Sequence, residues 1–120
     1  DVGASWFVPN LIGRARANGM GLLGEDISAK QAKEWGLIWD CVPDEELIPK
    51  AEEIAKKLAN GPITGLKEIV KAHDKALSGS LSEQLDYEKE TQRIRLDSKD
   101  FREGVTAFAE KRKPNFKDLD

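Results

Sequence analysis

The feature that most constrains this chain is a succession of helical stripes across its second half. Leu47, Ile48, Ala51, Ile54, Ala55 and Leu58 recur three and four residues apart, so they fall on one helical face. Asn60-Gly61-Pro62 interrupts that run. Ile63, Leu66, Ile69, Val70, His73 and Leu77 then form a second stripe, stopped by Ser78-Gly79. Residues 81–96 give a more polar helix whose apolar members are mainly Leu81, Leu85, Tyr87, Ile94 and Leu96, and Phe101, Val105 and Phe108 mark a last helix at i, i+4 and i+7. A period of 3.6 held this long argues for a mainly α fold with at most one short strand.

Local start and stop signals agree. Ser28-Ala29-Lys30-Gln31 and Ser80-Leu81-Ser82-Glu83 read as capping boxes, in which the serine hydroxyl accepts from the amide three residues on. Asp44 and Ser98 read as N-caps. The first 43 residues are organised differently. Short helices are expected over residues 4–11, with Pro9 removing one backbone hydrogen bond, and over residues 14–22 after Gly13. A third runs to Trp35 and ends on Gly36 in a left-handed cap. Leu37-Ile38-Trp39-Asp40-Cys41-Val42 is the best strand candidate, flanked by Gly36 and Pro43. An isolated strand must pair outside the segment or remain an extended connection.

Charge and composition narrow the function. Nineteen basic against 22 acidic residues leave a formal net charge of −3, which argues against a nucleic-acid partner. The one dense basic run, Lys111-Arg112-Lys113, suits a single phosphate better than a duplex. No apolar stretch is long enough to span a bilayer, so no membrane partner is expected. A single cysteine, Cys41, fits a reducing compartment, and a cytoplasmic location is expected. With one Cys and one His, neither a zinc site nor a Cys-His nucleophile pair is expected. His73 reads as a packed or edge side chain, Cys41 as a small buried one, and the three tryptophans as core or edge anchors. Gly19 to Gly24 matches G-x-G-x-x-G, but it ends a helix instead of joining a strand to one.

Two features go beyond packing. Asp1-Val2-Gly3-Ala4-Ser5 places an acid and small residues at a helix start, where the carboxylate either faces a cavity or caps the helix. Phe108 precedes Lys111-Arg112-Lys113 by three residues, a spacing at which an aromatic ring and a cation can clasp an adenine and a phosphate; the plainer reading is an amphipathic helix with a solvated basic end.

Taken together, the segments Gly3 to Ala17, Leu22-Leu23-Gly24-Glu25-Asp26-Ile27-Ser28-Ala29, Trp35-Gly36-Leu37-Ile38, Asp100 to Phe108 and Glu110 to Lys117 resemble the enoyl-CoA hydratase/isomerase (crotonase) family over essentially the whole chain. The resemblance implies that residues 1–43 are the tail end of a ββα core and residues 44–120 a C-terminal helical region that drives assembly into a trimer or a dimer of trimers. It implies an acyl-CoA thioester as substrate, with coenzyme A part of that substrate and no permanently bound cofactor. The family's oxyanion-hole donors would lie before Asp1, and a chain opening on Asp1-Val2-Gly3 without Met reads as the middle of a longer polypeptide, inactive alone. The resemblance places Asp1 at the position of the acid/base or nucleophile of the isomerase and dehalogenase branches, which shifts weight toward isomerase chemistry, and it assigns Phe108 and Lys111 as contacts to the adenosine 3′-phosphate end of coenzyme A on a neighbouring subunit. Within the isomerase branch, Trp6, Trp35 to Trp39 and Leu85 to Glu88 are most similar to the ring-epoxide isomerases of phenylacetyl-CoA breakdown. Gly3-Ala4-Ser5 departs mildly from the family's usual Gly-Gly-Thr.

Overall fold

A computed structural model describes residues 2–117. It contains α1 (Ala4–Ile12), α2 (Arg14–Leu23), α3 (Ala29–Trp35), α4 (Asp44–Ala59), α5 (Ile63–Ala76), α6 (Leu81–Leu96) and α7 (Lys99–Ala109). The fold is mainly α, and no strand occurs among the described residues. The chain divides into two compact units, residues 1–47 and 48–120.

In the first unit, α1 packs on α2 across Gly13. Gly3 sits at the start of α1 with φ +90°, a backbone conformation that favours glycine, and a Cβ there would have to displace the exposed Phe7 ring 2.9 Å away. Ser28 caps α3 by accepting from the Gln31 amide at 3.1 Å. Arg16 lies over the Trp35 ring at 5.3 Å, so this half-buried tryptophan is an anchor. Trp39 is 89% exposed and anchors nothing in this chain.

The strand expected over residues 37–42 does not form. Gly36 adopts φ +79°, and the amides of Gly36 and Leu37 donate to the carbonyls of Lys33 and Ala32 at 3.0 and 2.9 Å. This pair of hydrogen bonds closes α3 as a Schellman motif and turns the chain away at once. The Asp40 carboxylate then accepts from the Cys41 amide at 2.8 Å and the Lys33 ammonium at 2.5 Å. Local partners thus take the backbone and side-chain groups that an unpaired strand would leave bare. Asp44 also differs from its expected role. It is the first residue of α4 and not its cap, and the Asp44, Glu45 and Glu46 carboxylates fill the first turn while Lys56 and Lys57 close the last. Both placements are favourable toward the helix dipole.

In the second unit α5, α6 and α7 pack in chain order. Ser80 and Glu83 form the complete reciprocal box at the start of α6, and Ser98 caps α7 through the Phe101 amide at 3.2 Å. Polar clamps join α5 to α6. The Tyr87 hydroxyl donates to Glu68 at 3.1 Å, Gln84 donates to the Ala72 carbonyl at 3.2 Å, and the Lys75 ammonium stands 5.5 Å over the Tyr87 ring. Glu68 also pairs with Lys71 at 2.7 Å, and these two donors hold its carboxyl below its ordinary range.

Apolar burial is sparse. Ile12, Ala32 and Ala107 are the buried hydrophobic residues among those described, while Ile48, Leu58, Ile63, Ile69 and Val70 from the α4 and α5 stripes remain exposed. The stripes are real helical faces, but this chain alone does not cover them.

Candidate functional site

The end of α7 is where the sequence-marked residues and an unusual backbone coincide. Glu103 and Ala107, four residues apart, share a helical face, and Ala107 is only 1% exposed. That face is the packed side of α7. Phe108, one residue further round, projects outward and is 87% exposed. The expected stripe of Phe101, Val105 and Phe108 is therefore not a buried one: all three rings and side chains stay accessible.

Beyond Glu110 the helix closes through a second Schellman-type pair. The Arg112 amide donates to the Ala107 carbonyl at 3.0 Å and the Lys111 amide to the Phe108 carbonyl at 3.2 Å. Lys111 occupies the left-handed position, with φ +55°. Glycine normally takes this place, because a Cβ makes the conformation cost about 1–2 kcal/mol. A lysine here is a local exception to ordinary turn chemistry.

The turn is fastened to α7 by Glu103. Arg112 donates from Nη1 to Glu103 Oε1 at 2.6 Å and from Nη2 to Oε2 at 3.0 Å, a bidentate pair. The Asn115 amide donates to the same Oε1 at 2.6 Å, and Arg112 Nε donates to Glu110 at 2.5 Å. The Arg112 guanidinium first, and the Asn115 amide second, pull the Glu103 carboxyl down to about 2. A lowered carboxyl favours the closed turn above its unfolded value of 4.5, and that contribution is lost as pH falls from 4.5 through about 2. At neutral pH the clasp is fully charged and closed.

Of the expected site residues, Phe108 and Lys111 lie on this one turn, both accessible. Asp1 lies outside the described residues. His73 is exposed on α5, and Cys41 is half-buried in the connection before α4. No group of three His, Cys, Asp or Glu side chains suited to a metal occurs among the described residues. No helix among them is long and apolar enough to cross a membrane. The Glu103 clasp was not anticipated, because a separation of nine residues across a turn matches no helical period. The hint was present only as an acid and an arginine bracketing the aromatic-cation segment.

The family model for enoyl-CoA hydratase/isomerase matches residues 1–119. The chain belongs to that family. Among individual relatives, it is 47% identical over 116 residues to the 1,2-epoxyphenylacetyl-CoA isomerase of Escherichia coli K12, covering 97% of this chain and 44% of that protein. It is 40% identical over 110 residues to the mitochondrial enoyl-CoA hydratase of Pongo abelii, covering 89% and 37%. The crystal structure of an enoyl-CoA hydratase from Bacillus anthracis superposes with a TM-score of 0.89 at 36% identity, over 96% of this chain and 45% of that one. The chain thus spans less than half the length of the relatives it matches.

Proposed function

We propose that this chain is the C-terminal part of an enzyme acting on acyl-CoA thioesters through an enolate-type intermediate, and that it is inactive without the remainder of the fold. The carrying observation is the family match over residues 1–119, joined to an accessible Phe108 and a left-handed Lys111 on one turn. In this reading Asp1 moves the proton at the reacting carbon, while the oxyanion hole lies in sequence before it. Phe108 packs on the adenine and Lys111 pairs with the 3′-phosphate of a coenzyme bound to a neighbouring subunit. Coenzyme A enters with the substrate, no resident cofactor is needed, and the protein works in the cytoplasm. Residues 1–43 complete the core and residues 44–120 assemble the subunits, as a trimer or a dimer of trimers.

Isomerase chemistry is favoured over hydration by the acid at position 1. The 47% identity to the 1,2-epoxyphenylacetyl-CoA isomerase supports a ring-epoxide substrate. The coenzyme contact is tested by calorimetry on the complete protein. Lys111→Ala is expected to weaken coenzyme A binding roughly 10- to 150-fold, since a charge-assisted contact contributes roughly 1.5–3 kcal/mol. Binding of 3′-dephospho-coenzyme A is expected to stay unchanged. Equal affinities of the variant and the parent for coenzyme A itself would remove Lys111 from the site.

A second reading is a helical module that assembles subunits and contacts coenzyme A without catalysis. The exposed apolar faces of α4 and α5 favour it.

A further inference from the structure

We propose that Glu103 is a positioning residue: its carboxylate, acting through Arg112 and the Asn115 amide, holds Lys111 in the left-handed turn from which the ammonium meets the coenzyme phosphate. The inference rests on the coenzyme contact proposed above and adds the device that sets it.

Lys111 occupies a conformation that a lysine does not choose by itself. Its own amide bond, to the Phe108 carbonyl at 3.2 Å, is the longer of the two bonds closing the turn. A strained residue persists only where its surroundings over-determine it. Glu103 supplies that over-determination. It stands on the packed face of α7, with its side chain only 16% exposed, so its carboxylate has a fixed place. From there it grips the chain at two points beyond Lys111, the Arg112 guanidinium at 2.6 and 3.0 Å and the Asn115 amide at 2.6 Å. The segment from Glu110 to Asn115 is therefore tied at the helix end and again just past Lys111. Arg112 and Lys111 divide the work of two adjacent cations. Arg112 turns back onto acids of its own chain, Glu103 and Glu110, so its charge is spent internally. Lys111 makes no such pair among the described residues' ion pairs and keeps its three donors for a ligand.

With the clasp cut, the turn is expected to sample right-handed and extended conformations. Only the fraction retaining the present geometry would be competent, and apparent affinity falls by that fraction.

The test is steady-state kinetics of the complete protein with a coenzyme A thioester and with its 3′-dephospho counterpart. Glu103→Gln is expected to raise KM for the thioester about fivefold, with kcat and the KM for the dephospho substrate unchanged. Arg112→Gln cuts the clasp from its other end without touching the packed face of α7, and is expected to show the same pattern should Glu103→Gln fail to fold. A KM rise on both substrates alike, or a fall in kcat, would show a merely structural role and overturn the proposal. So would an unchanged KM in Glu103→Gln while Lys111→Ala still abolishes the preference for the phosphate; that outcome leaves the coenzyme contact standing. Loss of preference in neither Glu103→Gln nor Lys111→Ala would overturn both.

Discussion

Asp1→Asn in the complete protein is expected to lower kcat by about 10²–10⁴-fold, the range over which a positioned acid or base contributes. KM for the acyl-CoA should change little, because the amide keeps the size of the carboxylate while losing its charge and its ability to take up a proton. Removing a proton next to a thioester carbonyl builds an enolate, whose charge is held by backbone amides aimed at the oxygen. That charge stabilisation does not itself move the proton, so a separate base is required at the carbon. In the sequence Asp1 immediately precedes the Val2-Gly3-Ala4-Ser5 segment that leads into α1. Near-normal turnover in the variant would remove Asp1 from the chemistry. A rise in KM with kcat unchanged would point to a binding role instead.

The 120-residue chain purified by itself is expected to associate. Side chains that ordinarily build a core stand open on its helices. Leu47, Ile48 and Leu58 on α4, and Ile63, Ile69 and Val70 on α5, are all exposed. Surfaces of that kind mark an interface or an aggregation site in a soluble protein. Light scattering should therefore report species heavier than a 13.3 kDa monomer. A clean monomer with cooperative unfolding would show that the stripes need no partner, and would count against an assembling role for residues 44–120.

How far the sequence could be read depended on whether a signal was local. The α4 and α5 stripes and the Ser28, Ser80 and Ser98 caps are local patterns, and each reappears in the structure because backbone and side chain satisfy one another within a few residues. Residues 37–42 failed as a strand because β-branched and aromatic content says nothing about a partner, and Gly36 had a cheaper local solution. The stripes themselves carried a hidden assumption. Apolar periodicity identifies the face that seeks cover but not what covers it. Phe108 illustrates this well: its spacing placed it with Phe101 and Val105, yet it is the most exposed of the three. The Glu103 clasp was illegible for the opposite reason, since it joins residues nine and twelve apart that only the turn at Lys111 brings together. The backbone conformation of Lys111 had no forerunner in the sequence, because lysine gives no hint of a left-handed turn.

In the function proposed above, this chain supplies the assembling and coenzyme-contacting part of an acyl-CoA enzyme whose oxyanion hole lies in sequence before it. The most direct test is turnover of the ring epoxide of phenylacetyl-CoA by the purified 120-residue chain, side by side with the longer polypeptide that contains it. Turnover is expected from the longer polypeptide and none above the uncatalysed rate from the chain alone. Turnover by the chain alone would contradict the proposed function.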